Sequence, residues 1–119
     1  MINSGNSQGK SAATLADFKK LELRVGKVIK IENISGSDKL LKMQVDLGQG
    51  AGQKQILAGI AQWYTDKQLE GKNFIFVTNL EPKRMMGEES EGMMLAADVE
   101  GECKLIPVDD AIPEGTVVR

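Results

Sequence analysis

The sequence contains no histidine and only one cysteine, Cys103. Histidine is the commonest general base near neutral pH and a frequent metal ligand. Its absence excludes catalytic triads and zinc sites that need an imidazole. A single thiol cannot form an intrachain disulfide, so nothing indicates an oxidising compartment. These absences predict a protein without catalytic activity, metal ion or cofactor of its own.

Long apolar runs and aromatic side chains are also scarce. No stretch approaches the ~18 apolar residues of a membrane-spanning helix, and residues 1–16 lack the apolar centre of a signal peptide. We therefore expect a cytoplasmic location and no membrane partner. Aromatic residues form 4% of the 119-residue chain and hydrophobic residues 41%. One domain with a mainly aliphatic core, in which methionine fills irregular gaps, is expected.

Charge is divided unevenly along the chain, although the net charge is only −2. Residues 17–54 hold eight basic and five acidic side chains, whereas residues 55–119 hold six basic and twelve acidic ones. Such asymmetry can present a basic face within an acidic total. On charge alone, an ordinary mixed surface is the simpler interpretation.

Two motifs look like nucleotide or catalytic sites, but their spacing is wrong. Gly48 and Gly50 are followed by Gln53 where a dinucleotide-binding fingerprint needs its third glycine. Ser90 follows Gly87 one residue too late for a nucleophile elbow. The neighbouring carboxylates, from Glu88 to Glu91, are interpreted as solvated rather than as a cation site.

Hydrophobic alternation predicts an all-β chain. The first strand is expected to bend at Gly26, where a missing side chain permits a bulge, and residues 79–92 are expected to form a loop. A helical turn beginning at Asp17 and a short helix over 66–71 complete the pattern. The predicted strands are 21–31, 41–47, 54–58, 74–77 and 93–99, with a shorter one at 103–108.

Five main strands with one short helix between the third and fourth are typical of an OB-fold, a five-stranded Greek-key barrel. Residues 17–119 are predicted to form this domain, which ends in a C-terminal extension. Residues 1–16, rich in serine, glycine, asparagine and alanine, are predicted to be a flexible leader.

Two segments resemble the tRNA-binding domain family. One is Asp17–Val28, followed downstream by Ser37-Asp38-Lys39-Leu40. The other is Asn79–Ala97, with Asn-Leu, a proline, a basic pair, then Gly, Ser, Gly-Met and Leu-Ala-Ala at the spacing of that family. The family includes the C-terminal extension of methionyl-tRNA synthetases, free-standing homodimeric tRNA-binding proteins and the chaperone-like CsaA proteins.

The resemblance, together with the polar face that OB-folds offer on strands two and three, implies a groove that holds tRNA phosphates. For some candidates a structural role is the alternative, since Arg24 would pair with an acid, and Asn79 and Ser90 would bond to backbone groups. The predicted tRNA-binding residues are Arg24, Lys27, Lys39, Lys42, Lys54, Asn79, Lys83, Arg84, Ser90 and Met93.

The leading hypothesis is a non-catalytic module that acts beside a methionyl-tRNA synthetase, as an appended domain or a separate subunit. Since stacking aromatics are scarce, recognition of tRNA backbone and shape is expected. A CsaA-like peptide-binding chaperone is the alternative, and a scaffold domain with a lost RNA site is a third possibility. A homodimer is expected through apolar C-terminal residues: Ile106, Val108, Ile112, Val117 and Val118.

Overall fold

The structure is a computed structural model that describes residues 10–119. Residues 1–9, which fall in the predicted leader, lie outside the described residues. The helices are α1 (Leu15–Lys19), α2 (Gly48–Ala51) and α3 (Asp66–Leu69). The strands are β1 (Leu23–Asn33), β2 (Leu41–Asp46), β3 (Gln53–Ala58), β4 (Asn73–Val77), β5 (Lys83–Met85), β6 (Glu88–Ser90), β7 (Met93–Met94), β8 (Ala96–Val99), β9 (Glu102–Leu105) and β10 (Val117–Val118).

The main sheet is antiparallel, with strand order β3-β2-β1-β4-β7, and it curves into a nearly closed barrel. Strand β1 is long enough to pair with β4 through its first half and with β2 through its second half. Strand β10 pairs with Leu23 and Arg24 on the side of β1 opposite β4, at the end of β1 that lies beyond its pairing with β2. The predicted all-β OB-like barrel is therefore confirmed.

The core follows from strict alternation in the strands. In β2 the apolar positions are buried and the polar positions between them are half-buried, because successive side chains point to opposite faces of the sheet. Phe76 on β4 is fully buried among them, and a buried phenylalanine contributes about 2–3 kcal/mol. The buried cluster comprises Val28, Leu41, Met43, Val45, Leu47, Ile56, Ile60, Leu69, Phe74, Phe76 and Met94.

The predicted bulge does not lie at Gly26, because pairing with β4 stays in register through this residue. The irregularity in β1 lies two residues later, where the register with β2 shifts between Val28 and Lys30. At Gly26 a Cβ atom would lie 2.7 Å from side-chain atoms of both Leu47 and Val45. Glycine is needed here because core side chains pack directly against the backbone.

The predicted helix between the third and fourth strands is confirmed as α3. Thr65 and Gln68 form a capping box at its start. The first helix begins at Leu15 rather than Asp17, because Thr14 accepts from the Asp17 N–H and caps the turn. Leu15 and Ala16 therefore belong to this helix and not to an unstructured leader, and α2 is a further helical turn that was not predicted.

Residues 79–92 do not form the predicted loop. Strands β5 and β6 pair in register from Lys83↔Ser90 to Met85↔Glu88, and Met86 and Gly87 make the turn with φ angles of 52° and 79°. Positive φ at both central residues is what a type I′ hairpin requires. The predicted strand 93–99 is likewise divided, since β7 joins the barrel and β8 pairs with β9 in a second hairpin.

Within residues 10–119, no helix has both the length and the apolar character needed to cross a membrane. The same residues contain no group of three or more cysteine, aspartate or glutamate side chains placed to hold a metal ion.

Candidate nucleic-acid interface

The β5–β6 hairpin lies beside β3. The Gln55 N–H donates to Glu91 Oε1 at 2.9 Å, and Gln55 Nε2 donates to the Glu89 carbonyl oxygen at 2.9 Å. The Glu91 N–H returns a bond of 2.8 Å to the Gln55 carbonyl oxygen. The hairpin is therefore attached to the edge of β3 by its β6 strand, and β5 is the strand farther from this attachment.

Two predicted residues, Lys83 and Arg84, are exposed on β5. Neither side chain forms an ion pair or hydrogen bond in the part of the chain that the structure describes. The hairpin tip meets the β1–β2 loop, because Met86 Cε lies 3.4 Å from the position that a Cβ atom on Gly36 would take. This contact brings the exposed Lys39, three residues beyond Gly36, into the same part of the surface.

Met93 lies on β7, three residues after the hairpin, and is 47% exposed. It borders a cavity of about 260 Å³ that is lined mainly by apolar side chains, including Leu57 and Leu105. Its thioether is thus available to a ligand that also reaches the hairpin.

Arg24 and Lys27 point to the C-terminal segment instead of the predicted groove. Arg24 donates to the Gly115 carbonyl oxygen at 2.9 Å and pairs with Glu22 at 3.2 Å. Lys27 Nζ lies 3.7 Å from a carboxylate oxygen of Glu114. Both side chains hold the segment before β10 against β1, and both have carboxylate partners within the domain.

Lys42 and Lys54 are also engaged within the fold. Lys42 Nζ lies 3.6 Å from Glu32 and 3.5 Å from Glu88, which places it between a strand of the barrel and the hairpin. Lys54 Nζ donates to the Thr78 carbonyl oxygen at 2.7 Å. On the polar face of β2 and β3, Lys42 is therefore ion-paired and Lys54 is hydrogen-bonded within the domain, which no sequence pattern indicated.

Asn79 and Ser90 form hydrogen bonds with backbone groups, which is the structural role that the sequence offered as the alternative to tRNA binding. Asn79 Oδ1 accepts from the Glu22 N–H at 2.8 Å, and its Nδ2 donates to the Lys20 carbonyl oxygen at 2.7 Å. Ser90 is buried, accepts from the Leu57 N–H at 3.0 Å and donates to the Gly92 carbonyl oxygen at 3.0 Å. These bonds leave Ser90 no surface for a ligand, and they fix both ends of the hairpin segment.

Glu22 joins this network at the start of the hairpin segment. Hydrogen bonds from Arg24 and Thr78 hold the pKa of its carboxyl below the usual value, because both favour the charged form. Cys103, by contrast, has a raised thiol pKa, since it is partly desolvated and faces Asp98. A thiol with a raised pKa is a poor nucleophile.

The structure thus separates the ten predicted residues into two groups. Lys39, Lys83, Arg84 and Met93 are exposed around the hairpin, whereas the other six are engaged in contacts within the domain. Sequence reasoning also missed Glu88 as the partner of Lys42, because the two lie on strands far apart in the chain. The only local signal was that an acid follows the basic pair within a few residues.

The family model described as "Putative tRNA binding domain" matches residues 23–117. Among curated proteins, the methionine–tRNA ligase of Methanothrix thermoacetophila is 47% identical over 102 residues, which cover 86% of this chain and 15% of that protein. The chain therefore spans about 15% of the length of this relative.

Solved structures agree with the sequence comparison. A MetRS-related protein from Pyrococcus horikoshii superimposes with a TM-score of 0.86 at 40% identity, covering 92% of this chain and 100% of that chain. The CsaA chaperone protein from Picrophilus torridus gives a TM-score of 0.82 at 28% identity, covering 91% and 100% of the two chains. With nearly the whole barrel matched by both sequence and structure, the chain belongs to the tRNA-binding domain family.

Proposed function

We propose that this domain binds tRNA through the outer side of the β5–β6 hairpin, with Lys39, Lys83 and Arg84 on phosphates and Met93 beside them. One observation carries the proposal. Lys83 and Arg84 are exposed and unpaired within residues 10–119, whereas four other candidate bases are held by carboxylates or carbonyl groups. Exposed cations on a fixed hairpin can neutralise phosphates without first breaking internal contacts.

The proposed role is accessory. The domain would hold tRNA for a methionyl-tRNA synthetase, either as an appended part of that enzyme or as a separate subunit, and would carry no catalytic step itself. The synthetases among its relatives are much longer than this chain, which supports a division between tRNA holding and catalysis. Action in the cytoplasm stays a prediction from the sequence.

The test is the double substitution Lys83→Ala and Arg84→Ala, measured by tRNA binding at several salt concentrations. Each phosphate contact contributes about 0.7–0.9 to the slope of log K against log salt. The double variant should bind all tRNAs about tenfold more weakly at ~50 mM salt, and the slope should flatten by roughly 1.5. Phosphate contacts carry no sequence information, so every tRNA should be affected alike.

Lys67→Ala with Lys72→Ala is the matched control. It removes the same charge from exposed positions in and just after α3, at the opposite end of β4 from the hairpin. This control should retain nearly normal affinity and slope. Equal losses in the two double variants would show a diffuse charge effect, and no loss in the hairpin variant would remove the proposed interface.

The domain is also proposed to form a homodimer. The sequence predicted contact through C-terminal residues alone, whereas the surface proposed here combines β10 with α1. A groove of about 540 Å³ lies between α1 and β10 and is lined mainly by apolar side chains. Leu15, Phe18, Leu21 and Val117 are each more than 40% exposed there. Covering these side chains with a second copy would remove apolar area from water, and a two-fold pair would present two hairpins to RNA.

Val117→Asp should convert the dimer to a monomer, because it places a charge in this groove. Light scattering at tens of micromolar protein, a concentration suited to weak interfaces, measures the change. Val99→Asp is the control, since Val99 is 49% exposed and Val117 is 46% exposed, but Val99 lies on the β8–β9 hairpin. A wild-type monomer, or a dimer that persists in Val117→Asp, contradicts the proposed interface.

Peptide binding is the second candidate function. It is favoured by the structural match to the CsaA chaperone protein and by the exposed apolar groove beside α1. Unfolded polypeptide would compete with dimer formation if it used that groove. Retention of an unfolded peptide by the Lys83→Ala and Arg84→Ala variant, with tRNA binding lost, would show that the two activities use separate surfaces.

A further inference from the structure

Two residues other than glycine have left-handed backbone conformations within residues 10–119. They are Met86, with φ of 52°, and Glu100, with φ of 53°, and each precedes a glycine in a two-residue hairpin turn. L-residues disfavour this conformation because Cβ approaches the following carbonyl oxygen, and asparagine, aspartate and glycine tolerate it best. Methionine is thus an unfavourable choice for the turn it occupies.

Core packing does not account for Met86 either. Its side chain is 54% exposed, and its Cε atom lies beside Gly36 in the β1–β2 loop, 3.4 Å from the position that a Cβ atom there would take. The left-handed backbone at Met86 and the exposure of its apolar side chain are both unfavourable. Strained backbone positions of this kind concentrate at functional sites. Glu100 differs, since its charged side chain is suited to solvent.

The surroundings of Met86 indicate what it contacts. It lies two residues after Arg84 at the end of a hairpin whose exposed strand carries two unpaired cations. A phosphate held by such a cation brings its own base within reach of the hairpin tip. Unpaired RNA bases are open to apolar contact on their faces, and a flexible, polarizable thioether suits an irregular surface of this kind.

We propose that Met86 packs against an unpaired nucleobase of the tRNA whose phosphates are held by Lys83 and Arg84. The inference rests on the proposed function and adds a base contact to it. An apolar contact at this point strengthens binding without demanding a particular base, because every base has an apolar face. Methionine then takes the place of an aromatic platform in a chain that has few aromatic residues.

The decisive variant is Met86→Asn, because asparagine suits the turn and removes the apolar tip. The melting temperature of this variant should rise by about 2–5 °C, because the backbone strain at the turn is relieved. Affinity for tRNA should fall about fivefold, while the salt slope stays unchanged, because a lost base contact releases no counterions. Met86→Leu should bind within about twofold of the wild type, because it keeps an apolar tip.

Glu100→Asn is the matched control, because it introduces the same residue at the same turn position of the other hairpin. It should become similarly more stable and keep its tRNA affinity within about twofold. A perfectly paired RNA duplex serves as the second ligand, because it offers phosphates but no unpaired bases. Met86→Asn should bind this duplex as the wild type does.

Three results would overturn the inference. These are unchanged tRNA affinity in Met86→Asn, an equal loss on tRNA and duplex, and a fall in melting temperature together with affinity, which would show a structural role. Failure of the proposed function itself looks different, because it would appear as unchanged binding in the Lys83→Ala and Arg84→Ala variant.

Discussion

The β5–β6 and β8–β9 hairpins have the same turn but different charge, with two bases and two acids in the first and one base and three acids in the second. Each is closed by two residues with positive φ, the second of them glycine. On β5 the cations Lys83 and Arg84 have no carboxylate partner within residues 10–119, whereas on β9 Lys104 pairs with Glu102 at 3.5 Å. Asp98 and Glu100 leave the second hairpin acidic. Local geometry is therefore shared, and the distribution of ion pairs decides which hairpin suits a phosphate.

The two hairpins are also held differently at their bases. Ser90 is buried and accepts from the Leu57 N–H at 3.0 Å. The corresponding bond in the second hairpin runs from the Leu105 N–H to the Tyr64 hydroxyl at 2.9 Å, in a partly buried place. One hydroxyl thus anchors each hairpin to the barrel, but only that of Ser90 is shielded from water that could replace it.

Removing these two hydroxyls is the sharpest test of the comparison and has the largest expected effect. Ser90→Ala should lower the free energy of unfolding by about 1–3 kcal/mol, because the buried Leu57 N–H loses its acceptor. Tyr64→Phe should cost about 0.5–1.5 kcal/mol, because water can reach Leu105. Chemical denaturation measures both, and equal losses would show that burial does not distinguish the anchors.

A smaller effect is expected from the acids that neutralise lysines near each hairpin. Glu88→Gln should remove one of the two carboxylates that pair with Lys42, leaving Glu32. The local positive charge should then rise, and tRNA affinity should increase about twofold to threefold at low salt, with the gain lost at high salt. Glu102→Gln removes an equivalent pair, also at 3.5 Å, from Lys104. Its affinity should change less, and an equal gain in both variants would indicate only a change in net charge.

The strands that could be predicted were those with clear alternation. The run from Leu41 to Leu47 alternates strictly, and β2 forms there with its apolar side inward. The β5–β6 hairpin was missed because each strand has only three residues and its turn is Met-Gly rather than the usual Asn-Gly. A pattern of three residues is too short to indicate a strand, and an isolated hairpin is at best marginally stable, so the hydrogen bonds to β3 help to hold this one.

The candidate site shows the same limit. Lys83 and Arg84 could be found from sequence because a long local motif contains them. For Arg24 the sequence already offered pairing with an acid as the alternative, and its partner Glu22 is a near neighbour in the chain. Lys27 and Lys42 were in the same set of candidates, but Glu114 and Glu88, which pair with them, come from distant segments. No local pattern reveals such partners, so the sequence could nominate basic residues but not tell which of them remain unpaired.

The amino-acid sequence by itself determined the all-β barrel and the family, because alternation, turn residues and a long motif are local properties of the chain. Only the tertiary structure decided which cations are available. Ion pairing depends on distances of a few ångströms between strands that are remote in sequence, as Lys42 and Glu88 show at 3.5 Å. The same contacts place Lys83, Arg84 and Met86 on a hairpin fixed to β3, since Ser90 and Glu91 bind that strand's edge.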